Sequence, residues 1–203
     1  MCKKIGILGG TFDPVHYGHI ALAEDAVREA GLHEVVMIPA RIQPFKQDRE
    51  YASGEDRFNM LALAAGKDDH ITVSKYELQQ ESISYTYLTL RHMQEFFGED
   101  TRLYFITGTD SFLKIDTWMN AEELLSNYAY IIGTRPGYRQ DEYRNALQRI
   151  TAAYGTEVIS MNKTELDISA TQIRQMVAEG KSISDLVPPE VERYIREHGL
   201  YRT

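Results

Sequence analysis

Residues 7–19, ILGGTFDPVHYGH, set the arrangement of the rest of this chain. A short apolar run at residues 5–8 precedes the two glycines, and apolar residues recur at helical spacing beyond the stretch, at Ile20, Ala23, Val27 and Ala30. This pattern predicts a strand, a glycine turn and then a helix. A helix N-terminus offers unpaired N–H groups and partial positive charge, and neighbouring glycines let an anion approach the backbone. The stretch therefore predicts a phosphate-binding site.

Two histidines stand at the start of the predicted helix. His16 and His19 are three positions apart, so both side chains lie on one helix face and can point at the same bound group. A single histidine at such a place more often packs or caps the helix, whereas a pair beside a glycine turn favours a binding role. We predict that both histidines contact phosphate.

The composition is that of a globular protein. A length of 203 residues, of which 43% are apolar, predicts a single domain over residues 1–203, with residues 166–203 as a C-terminal helical subregion. The net charge of −8 argues against a nucleic-acid-binding protein, which normally carries a basic face. The one cysteine, Cys2, can form neither an intramolecular disulfide nor a cysteine metal cluster.

The N-terminal segment carries no targeting pattern. Only four semi-apolar residues follow Lys3 and Lys4, too few for a signal peptide, and no stretch approaches the ~18 apolar residues of a membrane span. We expect a soluble cytoplasmic protein with no membrane partner, and we allow for a homo-oligomer.

Strand and helix patterns alternate along the chain. Strands are predicted at residues 5–8, 35–38, 71–73, 103–106, 128–132 and 157–160, with helices between most of them and two more beginning at Ser169 and at Pro188-Pro189. The alternation predicts an α/β fold with a Rossmann-like, doubly wound parallel sheet and a small C-terminal helical part. Ligands of such sheets lie at the carboxyl ends of the strands. The first loop has neither the G-x-G-x-x-G nor the G-K-[ST] pattern, which disfavours hydride transfer and ordinary ATPase chemistry.

A second phosphate element lies at residues 167–174, DISATQIR. Ser169 with Gln172 forms a capping box, which predicts a helix start there. Thr171 and Arg174 then present a hydroxyl and a guanidinium from the first turns, and both groups suit a phosphate chain. An ordinary capped helix with an exposed arginine is the alternative interpretation.

These two elements resemble the signatures of the nucleotidyltransferase superfamily. Residues 16–19, HYGH, are similar to its HxGH element, and residues 168–174 are similar to its I-S-S-T-x-I-R motif, with Ala170 in place of the second serine. Shorter elements resemble the nicotinate-nucleotide adenylyltransferases, over about residues 3 to 201. They are P-x-x-x-P-x-H-K at residues 39–46, S-Y-T at 84–86, G-x-D at 108–110, R-P-G at 135–137, and the tryptophan at Trp118.

The resemblance implies a role for each matching residue. ATP binding is implied for Gly9, Gly10, Thr11, Phe12, His16, His19, Gly108, Asp110, Arg135, Ser169, Thr171 and Arg174. Binding of the second substrate is implied for Lys46, Ser84, Tyr85, Thr86 and Trp118. Three residues are expected to be catalytic: His16, His19 and Arg174. The competing interpretations are a core role for Trp118, a solvated loop lysine at Lys46 and a helix cap at Asp110.

The chain departs from the family pattern in three places. Phe45 replaces a histidine, Leu88 stands where an aspartate is usual, and residues 115–117 lack the usual proline before Trp118. All three lie outside the two phosphate elements, so they affect substrate detail more than reaction type.

The reaction implied is attack by nicotinate mononucleotide on the α-phosphorus of ATP, with release of pyrophosphate. Mg²⁺ is expected to be held by the nucleotide phosphates and water, with no metal ligand from the protein. His19 is placed nearest the α-phosphate, and Thr171 and Arg174 at the leaving phosphates. The alternatives are another acceptor (nicotinamide mononucleotide, phosphopantetheine or a polyol phosphate with CTP) or a non-catalytic nucleotide sensor.

Overall fold

A computed structural model describes residues 2–42, 52–66, 68–81, 83–134, 139–162, 166 and 168–202. The strands of the described chain are β1 (Lys3–Gly10), β2 (Glu34–Pro39), β3 (Ile71–Val73), β4 (Thr101–Gly108), β5 (Ala129–Thr134) and β6 (Val158–Asn162). They form one sheet in the order β3-β2-β1-β4-β5-β6, and every neighbouring pair is parallel. The predicted doubly wound α/β fold is therefore confirmed.

The helices follow the predicted alternation with two additions. They are α1 (Tyr17–Ala30), α2 (Gly54–Ala65), α3 (Thr86–Phe97), α4 (Thr109–Phe112), α5 (Ala121–Asn127), α6 (Gln140–Tyr154), α7 (Ala170–Ala178) and α8 (Pro189–Glu197). Two 3₁₀ helices lie at Glu77–Gln79 and Ile115–Thr117. The sequence did not predict α4 and α5, because segments of four and seven residues are too short to show a helical period of apolar residues.

Local signals explain several helix ends. Gly31 adopts the left-handed conformation, with φ of 63°, and its N–H bonds back to the Val27 carbonyl to close α1. Ser53 begins α2 because its Oγ accepts the N–H of Asp56. Pro189 occupies the first position of α8, where a missing N–H costs nothing.

The helices cover both faces of the sheet. Buried side chains of α1, α2, α7 and α8 form one core with one face, and those of α3, α4, α5 and α6 form a second core with the other. Ile7 and Leu8, adjacent in β1, belong to different cores because successive strand residues point to opposite faces. Position 6 requires glycine because any side chain there would clash with the core. A Cβ there would lie 2.7 Å from the Cδ1 atoms of Ile106 and Leu32.

The C-terminal helices share the first of these cores. Ile173 of α7 and Val191 and Ile195 of α8 are buried with residues of α1 and α2. The division into one domain with a helical subregion at 166–203 stays a prediction. None of the helices in the described ranges is long and apolar enough to cross a membrane.

The strand order reverses between β1 and β4. From β1 the chain proceeds outward to β2 and β3, then returns to β4 and proceeds the other way. In sheets of this kind the loops diverge at such a reversal, so a crevice is expected at the carboxyl ends of β1 and β4. Gly9 and Gly10 end β1 and Gly108 ends β4. The three glycines for which ATP binding was predicted therefore lie where these two strands end.

Candidate active site

Two histidines at the N-terminus of α1 face each other at the crevice. The rings of His16 and His19 are stacked, with centroids 3.7 Å apart and planes inclined by 28°. The backbone N–H of His16 donates to Nδ1 of His19 over 3.3 Å. Because Nδ1 accepts this bond, the proton of the neutral His19 ring lies on Nε2. His19 therefore has an N–H donor on the side of the ring away from the backbone.

The residues around the histidines hold the two rings in place. Phe12, which is buried, meets the His19 ring edge-on with centroids 5.0 Å apart. Phe12 has a φ of 51°, a left-handed conformation that is unusual for a large side chain and is common at functional sites. A Cβ at Gly10 would lie 2.9 Å from the Phe12 ring, and one at Gly18 would lie 3.1 Å from Nδ1 of His16. Glycine at both positions therefore leaves room for these rings.

The second predicted element meets the first across the end of β1. Ser169 precedes α7, and its Oγ accepts the N–H of Gln172, which is the forward half of the predicted capping box. Nη1 of Arg174 donates to the backbone carbonyl of Asp13 over 2.6 Å, and Nη2 donates to Thr171 Oγ1 over 3.3 Å. Thr171 is exposed and Arg174 is half-buried. The structure thus brings Arg174 to the loop that carries the histidines.

Asp13 is a site residue that the sequence argument missed. Its side chain is 1% exposed, and Oδ1 accepts two hydrogen bonds, from the Tyr201 hydroxyl over 2.6 Å and from the Ala52 N–H over 3.1 Å. Oδ2 lies 3.8 Å from Nη1 of Arg174. Asp13 was part of the quoted motif, but nothing in the sequence indicated partners at residues 52, 174 and 201.

Arg57 is a second missed residue. It is 3% exposed and donates to three backbone carbonyls: from Nη1 to Thr11 over 2.8 Å and to Ala40 over 2.7 Å, and from Nε to Ala52 over 3.1 Å. Thr11 follows β1 and Ala40 follows β2. A buried arginine therefore joins the loops after two adjacent strands, β1 and β2.

The predicted second-substrate element lies on the other side of the sheet. Ser84 precedes α3, and its Oγ accepts the N–H of Arg41 over 3.0 Å while its own N–H donates to the Ile42 carbonyl over 3.0 Å. Tyr85 is the N-cap and Thr86 the first residue of α3, both half-buried. A first helical turn provides N–H groups suited to an anion, so this terminus can receive a carboxylate.

Glu77 forms a hydrogen bond with α3, the helix that begins at this element. Its carboxylate is buried and accepts the Thr89 hydroxyl of α3 over 2.7 Å. Burial raises the pKa of Glu77 and outweighs the opposing effect of its hydrogen bonds from Thr89 and Ser84. A buried carboxylate was not predicted here, because the surrounding sequence reads as a polar connection.

Trp118 provides an aromatic surface on the same side of the sheet. It directly follows the 3₁₀ helix Ile115–Thr117 and is half-buried. Its ring meets Phe105 of β4 edge-on, with centroids 5.9 Å apart. Trp118 thus packs partly on the core, and its substrate-binding role stays a prediction.

The G-x-D element lies at the end of β4. Gly108 has open space where a Cβ would stand, and Asp110 follows in the first turn of α4 with 63% of its side chain exposed. Nη1 of Arg139 donates to Oδ1 of Asp110 over 3.0 Å. Arg139, a further residue the sequence argument missed, thereby brings a cation from the start of α6 to this edge.

Two predicted residues, Lys46 and Arg135, lie outside the described residues, as does Phe45. Leu88 is half-buried in α3, where the family aspartate was expected. Within the described ranges no three or more His, Cys, Asp and Glu side chains are grouped to hold a metal ion.

Comparisons with known proteins identify the family. The cytidylyltransferase-like family model matches residues 7–176. A probable nicotinate-nucleotide adenylyltransferase of Thermoanaerobacter sp. (strain X514) is 39% identical over 199 residues, 98% of this chain and 94% of that protein. One from Desulfitobacterium hafniense (strain DSM 10664 / DCB-2) is 40% identical over 200 residues, 98% of this chain and 96% of that protein.

A solved structure has the same fold. The nicotinic acid mononucleotide adenylyltransferase of Plasmodium falciparum, complexed with NaAD, superposes with a TM-score of 0.77 at 24% identity, over 98% of this chain and 97% of that one. The chain belongs to the cytidylyltransferase-like family of nucleotidyltransferases. Within it, the near full-length matches above place the chain among the nicotinate-nucleotide adenylyltransferases. The family resemblance read from the sequence is thus confirmed.

Proposed function

We propose that this protein transfers AMP from ATP to nicotinate mononucleotide and releases pyrophosphate, forming the dinucleotide used in NAD biosynthesis. One observation carries the assignment of roles: the stacked His16–His19 pair and the Arg174 guanidinium both meet the loop after β1, at the crevice between β1 and β4. We call His16, His19, Thr171 and Arg174 the phosphate clamp.

The clamp suits a displacement at phosphorus that needs no protein nucleophile. The attacking group is the phosphate of the mononucleotide, which is already anionic at neutral pH, so no general base is required. The protein then contributes positioning and stabilisation of charge in an in-line reaction. His19 donates from Nε2 to the α-phosphate as charge develops there, and His16, whose ring is stacked on that of His19, is assigned to the same phosphate chain.

The leaving pyrophosphate is assigned to the α7 side of the clamp. Arg174 is held by the Asp13 carbonyl through Nη1 and reaches Thr171 through Nη2. A guanidinium and a hydroxyl on adjacent turns can follow the β- and γ-phosphates, and the N-terminus of α7 adds partial positive charge. The glycines of β1 let the triphosphate approach the backbone, and Gly108 and Asp110 are assigned to the ATP nucleoside.

The nicotinate end is assigned to α3 and Trp118. The N-terminus of α3 favours a carboxylate over an uncharged carboxamide, and the Trp118 ring offers a flat surface to the pyridine. Ser84 fixes this element against the chain after β2 through its two bonds to Arg41 and Ile42. The arrangement supports selection of the acid over the amide.

Mg²⁺ is proposed to arrive with ATP and would be held by the nucleotide phosphates and water rather than by protein ligands. The donors of the phosphate clamp are N–H and hydroxyl groups, which suit the phosphates, while the Asp13 carboxylate is already engaged by Tyr201 and Ala52. When bound with ATP, the ion would supply neutralisation of phosphate charge. We propose the cytoplasm as the compartment, because it supplies both nucleotides.

A pyrophosphate-release assay with ATP and Mg²⁺ tests the choice of acceptor. Nicotinate mononucleotide, nicotinamide mononucleotide and phosphopantetheine are compared at equal concentration. We expect the highest kcat/KM with nicotinate mononucleotide. Equal values for the two pyridine nucleotides would contradict acid selection at α3, and a higher value with phosphopantetheine would contradict the assigned acceptor.

A further inference from the structure

The C-terminal tail reaches the loop that carries the histidines. Tyr201, which follows α8, donates its hydroxyl to Oδ1 of Asp13 over 2.6 Å, although the two residues are 188 positions apart. The Ala52 N–H donates to the same oxygen over 3.1 Å. Oδ1 of this buried carboxylate is therefore engaged by two donors from two distant parts of the chain.

Arg174 contacts Asp13 in a different way. Its Nη1 donates to the backbone carbonyl of Asp13 over 2.6 Å but lies 3.8 Å from the carboxylate oxygen Oδ2, at the outer limit of an ion pair. The guanidinium is thus anchored by the neutral carbonyl rather than by direct carboxylate hydrogen bonds. A close carboxylate pair would hold Arg174 more strongly, and it would compete with any phosphate for the same N–H groups.

We propose that Tyr201 is a positioning residue that keeps the Asp13 carboxylate from capturing Arg174 and so leaves the guanidinium available to the triphosphate of ATP. The proposal rests on the assignment of Arg174 to ATP made above. Tyr201 and Ala52 satisfy Oδ1 and fix the direction of the carboxylate, while the Asp13 carbonyl orients Arg174. The C-terminal tail thereby sets the geometry of the phosphate clamp without touching the substrate.

The environment of Tyr201 keeps its hydroxyl a donor. Burial and the adjacent Asp13 charge both raise the pKa of Tyr201 strongly, against the smaller opposing effects of Arg174 and Arg57. The phenol is therefore protonated throughout the range in which the enzyme works. Removal of the hydroxyl leaves the Ala52 N–H as the remaining donor to Oδ1 among the described residues, while Oδ2 of the same carboxylate lies 3.8 Å from Nη1 of Arg174.

A matched pair of substitutions tests this proposal. Tyr201→Phe removes the hydroxyl that Asp13 accepts, whereas Tyr194→Phe removes a hydroxyl of α8 that donates to Asp56 over 2.9 Å. Both phenols bond to a carboxylate, but only the first carboxylate lies beside Arg174. The dissociation constant of Mg²⁺ with the nonhydrolysable analogue α,β-methylene-ATP is measured by calorimetry, and the melting temperature is measured in parallel.

We expect Tyr201→Phe to weaken binding of the analogue about tenfold, the effect of one hydrogen bond to a charged group, while KM for nicotinate mononucleotide changes less than about twofold. Tyr194→Phe is expected to change both constants less than about twofold. In an Arg174→Ala background, Tyr201→Phe should have no further effect on analogue binding, because the two residues act through one contact. A merely structural role for Tyr201 would instead give additive losses.

Removing the charge of Asp13 should restore analogue binding to the Tyr201→Phe variant. Asp13→Asn keeps the shape of the side chain but removes its charge, so in combination with Tyr201→Phe it should restore most of the lost affinity for the analogue. Unchanged analogue binding in folded Tyr201→Phe, additivity with Arg174→Ala, or an equal loss for both substrates would overturn the proposal. A wild-type protein that binds the analogue but transfers no AMP would overturn the proposed function alone, since the coupling of Tyr201 with Arg174 is measured by binding.

Discussion

His16 and His19 stack with ring centroids 3.7 Å apart, and the backbone N–H of the first donates to Nδ1 of the second. The bond sets the tautomer of His19, and the stack, together with Phe12 at the ring edge, sets its orientation. A donor with both properties fixed in advance needs little reorganisation when charge develops on phosphate.

His19→Ala should lower kcat by roughly two to three decades, by analogy with the loss of one preorganised donor. The melting temperature should change little, because His19 is half-buried at the start of α1. Steady-state kinetics and thermal unfolding check the two expectations. An unchanged kcat in a folded variant would refute the placement of His19 at the α-phosphate.

Gly18→Ala should lower activity with little loss of stability. The added Cβ would lie 3.1 Å from Nδ1 and 3.2 Å from Cε1 of His16, so the ring must shift. Alanine stabilises a helix relative to glycine by up to about 1 kcal/mol, so stability should not fall greatly. We expect kcat to fall at least about tenfold, by analogy with misplaced catalytic groups. Full activity would show that the position of the His16 ring is unimportant.

Arg174→Ala should weaken the binding of ATP more than the binding of the pyridine nucleotide. We expect KM for ATP to rise about tenfold or more, as for loss of charge-assisted hydrogen bonds, with KM for nicotinate mononucleotide within about twofold. Arg102→Ala is the control, because Arg102 pairs with Glu157 on an exposed surface at the start of β4. Equal effects on both substrates would contradict the assignment of Arg174 to ATP.

Trp118 should report on the second substrate. It is the only tryptophan of the chain, so its fluorescence changes can be read without interference. We expect nicotinate mononucleotide to alter the emission, and Trp118→Ala to raise KM for that substrate roughly three- to tenfold, the range of one aromatic contact. If the variant only melts earlier while both KM values stay the same, Trp118 serves the core alone.

Glu77 should make stability depend on pH. Its pKa is raised by burial, so the folded state holds the proton at pH values where the unfolded chain, with an ordinary value of 4.5, has lost it. Its contribution to stability is therefore fully present below pH 4.5 and is lost as the pH rises through the raised value. In the Glu77→Gln variant, the free energy of unfolding should lack this loss of stability with rising pH.

Urea unfolding at a series of pH values measures the effect, and Glu81→Gln, at an exposed position, is the control. The difference in the free energy of unfolding between wild type and Glu77→Gln should shift in favour of the variant as the pH rises. The corresponding difference for Glu81→Gln should remain flat. Parallel curves for wild type and Glu77→Gln would mean that the buried carboxylate does not hold its proton.

Local patterns predicted the features that depend on neighbouring residues. The first strand (predicted at residues 5–8, observed at Lys3–Gly10), the helix start after His16 and the cap at Ser169 each follow from a few adjacent residues. The alternation of strands and helices also predicted the fold class. The order of strands in the sheet could not be derived, because pairing between β1 and β4 joins segments about 100 residues apart and depends on packing of the whole core.

The residues that support the site carry no signal in the sequence. Arg57, Glu77 and Tyr201 are ordinary polar residues in their local sequences, and their roles arise only when folding brings them to partners elsewhere in the chain. The bond of Tyr201 to Asp13, for example, spans 188 positions. No spacing rule predicts such a contact, whereas a buried polar group with several distant partners identifies it once the structure is known.

Transfer of the α-phosphate label of ATP tests the central claim most directly. The protein is incubated with Mg²⁺, nicotinate mononucleotide and ATP labelled at either the α- or the γ-phosphate, and the products are separated by chromatography. The account predicts α-label in the dinucleotide and γ-label in pyrophosphate, in equal amounts, with both reduced by His19→Ala. Label from the γ-position in inorganic phosphate, with none from the α-position in a dinucleotide, would contradict adenylyl transfer.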